Sequence, residues 1–193
     1  MNPYKYIIII FIALNIILLP LIIISHIPAS YYYSASFHDK SNEMNEIISL
    51  LFQNQDTNIL TQNEKSHMLD VKNLLMISRI YLLTTITLFL ILVNKKIITT
   101  KILNKSSITS LITLTLLGAL ITTNFSSGFK AFHEIFFPMG NYTFAQSSTL
   151  IQLFPQEFFF QTAIISMAIS IIISTTTYVL TKKKLNSNYQ STS

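Results

Sequence analysis

Four long apolar runs dominate the pattern of hydrophobic and polar positions along the chain. They cover residues 7–25, 74–94, 108–125 and 158–180. Each is close to the roughly 20 residues that an α-helix needs to cross about 30 Å of hydrocarbon. The pattern therefore predicts an all-α membrane protein built as a bundle of four transmembrane helices. We expect residues 1–193 to form a single integral membrane domain.

Two longer segments, residues 26–73 and 126–157, separate these runs and contain shorter helical patterns. Residues 45–52 have apolar positions at helical spacing, and residues 129–137 and 150–154 are two further short apolar pieces. Pro138 and Gly140 are expected to end the second of the three. We expect all three to be short interfacial helices, of which the first lies across the membrane surface or caps the spans. The tyrosines at residues 31–33 are typical of a membrane interface, with a β-strand as the alternative. The polar tail, residues 186–193, is expected to be disordered.

The second apolar run is preceded by a helix-start signal and by several charged residues. Thr61 followed by Glu64 has the spacing of a capping box, which predicts that a helix begins here and continues into the run. Glu64, His67 and Asp70 then recur every three residues along one flank of this helix, while Lys72 and Arg79 line up on another. Charge carried towards membrane depth costs free energy, so this segment is a candidate functional site.

Composition and charge support a membrane protein and indicate its orientation. Half of the residues are hydrophobic, 11% are charged and the mean hydropathy is +0.50, whereas soluble domains have about 25% charged residues. The net charge of +5 comes from lysines beside the apolar runs, which favours topology signals over a nucleic-acid partner. Eight lysines lie at the two termini and in residues 95–107, which are therefore predicted to be cytoplasmic. Residues 26–73 and 126–157 are predicted to be extracytoplasmic. Cleavage of the first span as a signal peptide is an alternative.

The chain has no cysteine, so a disulfide, a thiolate metal site and a cysteine nucleophile are excluded. Its four histidines all lie in the predicted outer segments, and histidine is the side chain that titrates near neutral pH. His26 is interpreted as an interfacial anchor and His38 as a solvated loop residue. His67 and His133 are the candidates for chemistry.

A metal site is an alternative role for the same region. His67 and Asp70 on one helix, with His133 and Glu134 on another, offer four ligands. Their spacing matches no established zinc pattern, and we predict that the protein binds no metal.

Two sequence blocks resemble a known family. Residues 64–72, EKSHMLDVK, are similar to an E-x-x-H-[LM]-x-D-V-K block. Residues 132–158 contain the second block, with Phe132-His133, then Asn141-Tyr142-x-Phe144, then an LI-x-LFP element at residues 150–155. Both blocks occur in Lit, the four-span lipoprotein intramolecular transacylases of bacteria, and the chain resembles this family.

The resemblance implies an acyltransferase in the bacterial cytoplasmic membrane, with several spans and an active site that faces outside. Its substrate is a diacylated lipoprotein that lies among membrane lipids. The sn-2 acyl chain of the diacylglyceryl-cysteine passes to the α-amine of the same cysteine, which leaves the lyso form. Such a transfer needs neither a metal nor a cofactor. Because donor and acceptor share one molecule, positioning supplies much of the rate enhancement.

Roles for individual residues follow from the resemblance as hypotheses. His67 and His133 are the acid/base pair, and Asp70 orients His67 and raises its basicity. Lys72, Asn141 or Tyr142 binds the oxyanion or the glyceryl oxygen. Arg79 pairs with Glu64 or with a headgroup phosphate. Phenylalanines of the second outer segment line the lipid-chain groove: Phe132, Phe136 and Phe137.

Two other functions remain open from the sequence. A non-enzymatic membrane subunit or lipoprotein-binding protein predicts that the histidines can be replaced without loss of function. A metal-dependent membrane hydrolase predicts that a chelator stops activity and that zinc copurifies.

Overall fold

A computed structural model describes residues 3–28, 31 and 40–190. Over this part of the chain the secondary structure is helical and contains no β-strand. The helices are α1 (Pro3–Ser25), α2 (Ser41–Gln53), α3 (Gln62–Asn94), α4 (Thr100–Phe136), α5 (Thr149–Leu153) and α6 (Gln156–Gln190). The predicted all-α class is confirmed. His38 and two of the clustered tyrosines, Tyr32 and Tyr33, lie outside the described residues.

Four of these helices, α1, α3, α4 and α6, are long and apolar enough to cross a membrane. They contain the four predicted spans. With 33 residues and a rise of about 1.5 Å per residue, α3 is about 50 Å long, which exceeds the hydrocarbon thickness of about 30 Å. Its apolar part is residues 74–94, and its first turns, residues 62–73, are polar and charged, which agrees with a predicted span that begins at residue 74.

The start of α3 is the predicted capping box. The backbone N–H of Thr61 donates to Glu64 Oε2 at 2.9 Å, and the N–H of Glu64 donates to Thr61 Oγ1 at 3.3 Å. Each side chain thus satisfies a backbone donor that the first helical turn leaves unpaired. The predicted helix start is confirmed.

The predicted third span and the short helix after it are two parts of α4. Asn124, with φ −154° and ψ 53°, has a non-helical backbone and kinks the element. The second part ends at Phe136, two residues before Pro138 and four before Gly140. Gly140 has a φ of +73°, a left-handed conformation that glycine adopts without a steric penalty. Residues 125–136, which follow the kink at Asn124, therefore form a helical segment distinct from the predicted span.

The other short helices also form. α2 contains the predicted residues 45–52, and α5 contains most of the predicted residues 150–154. The Ser148 side chain caps α5 by accepting from the N–H of Ile151 at 3.3 Å. Pro155 directly precedes α6, which continues to Gln190. The expectation of a disordered tail is wrong as far as residue 190, because extending a formed helix costs little compared with starting one.

The chain divides into two compact units, and the first is helical and rich in buried serine. It comprises Met1–Ile22, Tyr81–Ala119 and Ile164–Ser193. Ser110 and Ser174 have no exposed surface, and their hydroxyls lie 2.7 Å apart. Small side chains allow membrane helices to approach closely, so this pair joins α4 to α6.

The second unit comprises Ile23–Ile80 and Leu120–Ala163, and it contains both predicted outer segments. Its hydrophobic core is centred on α2, where Met44 and Ile47 are fully buried. Leu150 and Leu153 of α5 belong to the same cluster. The apolar face of α2 therefore packs against protein in this unit. Whether the whole chain acts as one membrane domain stays a prediction.

Candidate active site

His67 lies in the second turn of α3, just after the capping box. Its side chain is only 8% exposed. Because the Thr61 and Glu64 cap fixes the first turn of the helix, it also fixes where the imidazole projects. His67 is therefore a buried titratable group on a defined helical position.

His133 lies near the end of α4, beyond the kink at Asn124. Its Nδ1 is 2.8 Å from the carbonyl oxygen of Phe129, one helical turn earlier. A carbonyl oxygen only accepts hydrogen bonds, so Nδ1 carries the proton and donates. Neutral His133 therefore has an unprotonated Nε2, which is the nitrogen that can accept a proton.

The structure brings these two histidines together. Their ring centroids are 6.1 Å apart, and the ring planes are inclined by 25°. The two imidazoles thus lie side by side although they come from different helices. The predicted convergence of His67 and His133 is what the structure shows, and their chemical roles are considered below.

Aromatic rings surround the pair. The ring of Phe137 lies 4.7 Å from His67 and 5.4 Å from His133, and Phe137 is only 4% exposed. Tyr142 lies 5.2 Å from His133. Phe129 and Phe144 also contact the imidazoles, at 4.3 Å from His133 and 5.6 Å from His67 respectively. Neither was predicted as a site residue, although Phe129 is one helical turn from His133 and Phe144 ends the Asn-Tyr-x-Phe motif.

Asp70, which the sequence predicts to orient His67, forms its hydrogen bond with Asn141 instead. Asn141 Nδ2 donates to Asp70 Oδ2 at 2.7 Å, and it also lies 3.3 Å from Ser66 Oγ. Among the described residues Asp70 forms no ion pair with His67. Asn141 is therefore the hydrogen-bond partner of Asp70, and the negative charge of Asp70 raises the pKa of His67.

The pKa of His67 is lowered to about 4. Burial is the largest cause, because it penalises the charged imidazolium, and the neighbouring His133 lowers the pKa further. The carboxylate of Asp70 and the Asn141 side chain oppose this and raise the pKa. The net result is that His67 is neutral near pH 7. Neutral imidazole offers one N–H donor and one nitrogen lone pair.

Lys72 and Arg79 are not brought to the two histidines. Lys72 Nζ donates to the carbonyl oxygen of Leu50 in the last turn of α2 at 3.0 Å. Arg79 is exposed and lies twelve positions after His67, or about 18 Å along the helix axis. The alternative in which Arg79 pairs with Glu64 is wrong, because Glu64 is buried and accepts hydrogen bonds from Thr61 and Leu150 instead.

Two of the predicted groove residues are accessible and the third is not. Phe132 is 41% exposed and Phe136 is 49% exposed, with their ring centroids 4.7 Å apart. They form an apolar surface beside His133, since Phe132 also lies 5.5 Å from its ring. Phe137 packs against the imidazoles instead.

The four side chains of the alternative metal site do not converge. Asp70 binds Asn141, and Glu134 pairs with Lys130 at 3.7 Å on the surface of α4. In the described part of the chain, no group of three or more His, Cys, Asp or Glu residues is placed to hold a metal ion.

Fold and site together define a multi-pass membrane protein with a paired-histidine centre in an aromatic surround. The sequence matches the family described as lipoprotein intramolecular transacylase Lit over residues 6–159. The chain belongs to this family, so the predicted family and the predicted enzyme class, an acyltransferase, are confirmed.

Two solved structures share the fold. One is the membrane-integral lipoprotein intramolecular transacylase Lit from Bacillus cereus, with 21% sequence identity and a TM-score of 0.76 over 98% of this chain and 100% of that one. The other is a histidine-to-alanine variant of the same protein, with 20% identity and a TM-score of 0.66 over 97% and 96%. No curated protein sequence matches the chain.

Proposed function

We propose that this protein moves the sn-2 acyl chain of a diacylglyceryl-cysteine lipoprotein onto the α-amine of the same cysteine. The product is the lyso form, and His67 and His133 are the acid/base pair. The observation that carries the proposal is the 6.1 Å approach of the two imidazoles. Family membership supports the reaction class.

The reaction converts an ester into an amide without an enzyme nucleophile. The amine nitrogen attacks the ester carbonyl, a C–N bond forms, and the C–O bond to the glyceryl oxygen breaks. The substrate ammonium loses two protons when it becomes an amide N–H. One proton goes to solvent and the other to the glyceryl alkoxide. Two imidazoles provide a separate path for each proton.

The two histidines differ in their surroundings, and this suggests separate roles. His133 donates through Nδ1 to Phe129, so its Nε2 is available to take a proton from the attacking amine. The imidazolium of His67 has a low pKa and releases its proton readily. We therefore propose that His133 takes one proton from the amine and passes it to solvent. His67, which is neutral near pH 7, takes the second amine proton, and its imidazolium then releases that proton to the glyceryl oxygen.

The surface formed by Phe132 and Phe136 is the proposed contact for the acyl chains, because apolar area beside the histidines suits hydrocarbon. Tyr142, whose ring lies 5.2 Å from that of His133, is the proposed oxyanion donor. We propose that Arg79, which is exposed, binds a headgroup phosphate. We place the protein in the bacterial cytoplasmic membrane with the site outside, since lysines favour the opposite side.

Expression in a host whose lipoproteins stop at the diacyl stage tests the proposal. Because an intramolecular transfer leaves the total mass unchanged, the N-terminal lipopeptide has to be fragmented by tandem mass spectrometry to find the acyl chain on nitrogen. We expect His67→Gln and His133→Gln to leave the acyl chain on oxygen. His26→Gln is the matched control and retains the transfer. If both site variants still form the N-acyl product, the acid/base assignment is wrong.

A further inference from the structure

The side chain of Asn141 binds Asp70 and is also close to His67. Its nitrogen donates to Asp70 Oδ2 at 2.7 Å and to Ser66 Oγ at 3.3 Å. A side-chain amide nitrogen has two N–H donors, so these two contacts use both of them. Asn141 therefore has no N–H left for a substrate oxyanion. This differs from the role that the sequence predicts for it.

Two buried polar atoms at this place lack a hydrogen bond in the described structure. They are Asn141 Oδ1 and His67 Nδ1. The first can only accept, and the second can donate, so they are chemically complementary. Leaving both unpaired costs about 1–3 kcal/mol for each group. The Asn141 side chain is also near enough to raise the pKa of His67, as an acceptor beside an imidazole does.

We propose that Asn141 is a positioning residue that holds neutral His67 as the tautomer protonated at Nδ1. Asp70 fixes the orientation of the amide by accepting from its nitrogen, which turns the amide oxygen to the imidazole. The Nε2 atom of His67 is then free to exchange a proton with substrate. The functional meaning of this tautomer rests on the acyl-transfer role proposed above.

At His133 the corresponding Nδ1 hydrogen bond is formed in the structure. There the Nδ1–H donates to the carbonyl oxygen of Phe129, and Nε2 is left open. The two imidazoles thus present the same nitrogen to the reaction, one held by a backbone carbonyl and the other by the side chain of Asn141. Because the two imidazoles have different partners, a mutation can change the tautomer of one and leave that of the other unchanged.

Nitrogen NMR of the imidazoles tests the tautomer directly. In protein labelled with ¹⁵N-histidine at pH 7, where His67 is neutral, long-range ¹H–¹⁵N correlations distinguish the protonated ring nitrogen. Signals are assigned with His67→Gln and His133→Gln. We expect His67 to carry its proton on Nδ1 in the wild type and to shift towards the Nε2–H form in Asn141→Ala. The His133 signals serve as the internal control and stay unchanged.

A double variant separates positioning from oxyanion binding. Asp70→Asn combined with Asn141→Asp exchanges the donor and the acceptor between the two positions and keeps an acceptor oxygen beside His67 Nδ1. We expect the double variant to keep the Nδ1–H tautomer and to recover acyl transfer relative to Asn141→Ala. If Asn141 acts as an oxyanion donor, the double variant stays inactive. That result overturns the positioning role.

The proposal is also overturned if wild-type His67 is protonated on Nε2, or if its tautomer is the same in Asn141→Ala. Neither of these two NMR measurements requires catalytic turnover. Loss of the acid/base hypothesis would show instead as undiminished acyl transfer in His67→Gln, with the tautomer result unaffected. The two failures are therefore distinguishable.

Discussion

Glu64 Oε1 accepts a hydrogen bond of 3.1 Å from the backbone N–H of Leu150, so the helix that carries His67 is tied to α5. The other carboxylate oxygen accepts from the N–H and the hydroxyl of Thr61. Burial raises the pKa of Glu64, but these hydrogen bonds outweigh it and leave the pKa below its ordinary value. One ionised carboxylate thus caps α3 and holds α5 against it.

Replacement of Glu64 is therefore expected to destabilise the protein. Glu64→Ala removes the acceptor of the Thr61 N–H and of the buried Leu150 N–H, at a cost of about 3 kcal/mol. Thermal unfolding in detergent measures the loss. Glu134→Ala is the matched control, because Glu134 makes only a surface ion pair with Lys130. Equal unfolding temperatures for the two variants would contradict this view of Glu64.

Titration of His67 by NMR checks the electrostatics of the site. The titratable groups that face it are His133 and Asp70. We expect the imidazole of His67 to titrate at a pKa of about 4. His133→Gln removes a positive neighbour and raises the pKa, whereas Asp70→Asn removes a negative neighbour and lowers it further. Shifts with the opposite signs would contradict the assignment.

Features that depend on neighbouring residues were predictable from the sequence. The Thr61 and Glu64 cap is visible at a spacing of three residues, and the apolar runs reveal the four long helices because a membrane span needs only length and hydrophobicity. The stop of α4 before Pro138 is likewise local. In each of these cases the physical cause and its effect lie within one or two helical turns.

Contacts between segments that are distant along the chain were less predictable from the sequence. The spacing of His67 and Asp70 suggests a direct pair, but the partner of Asp70 is Asn141, from a loop far along the chain. Similarly, Lys72 binds a carbonyl of α2, although its place in a motif suggested an oxyanion role. Periodicity shows which residues share a helix face, and it does not show which group from elsewhere packs on that face.

Lys72 offers a test of these two interpretations. In the structure it supplies a hydrogen bond to Leu50, one of the last carbonyls of α2, which have no partner within the helix. Lys72→Met is therefore expected to lower stability by about 1–3 kcal/mol while the rate per folded molecule is kept. Unfolding curves and acyl-transfer rates, measured on the same preparation, distinguish the structural role of Lys72 from the oxyanion role. Loss of the rate at unchanged stability would favour the oxyanion role.

The serine contact between α4 and α6 predicts a strong dependence on side-chain size. Ser110→Ala removes one hydroxyl contact with Ser174, which is worth about 0.6 kcal/mol between membrane helices. Ser110→Leu places a large side chain where no surface is exposed, so the helices have to separate. Thr115→Leu, on an exposed position of α4, is the control and is expected to be tolerated. Unfolding temperature in detergent ranks the three, and similar values for both leucine variants would refute the close packing.

Phe136 and Phe137 are adjacent, but their different burial predicts different kinetic effects. Phe137 packs against both imidazoles, so Phe137→Ala removes the ring that keeps them in their relative positions. Because a displacement of about 1 Å can cost on the order of 100-fold in rate, we expect turnover at saturating substrate to fall at least tenfold.

Phe136 is about half exposed, and Phe136→Ala removes apolar area available to a lipid chain. That loss weakens binding in the ground state and the transition state alike, so it raises the apparent KM with little change in kcat. Initial rates of acyl migration, measured over a range of lipopeptide concentrations in mixed micelles, separate the two effects. A fall in kcat for Phe136→Ala as large as that for Phe137→Ala would mean that burial against the histidines is not what makes Phe137 important.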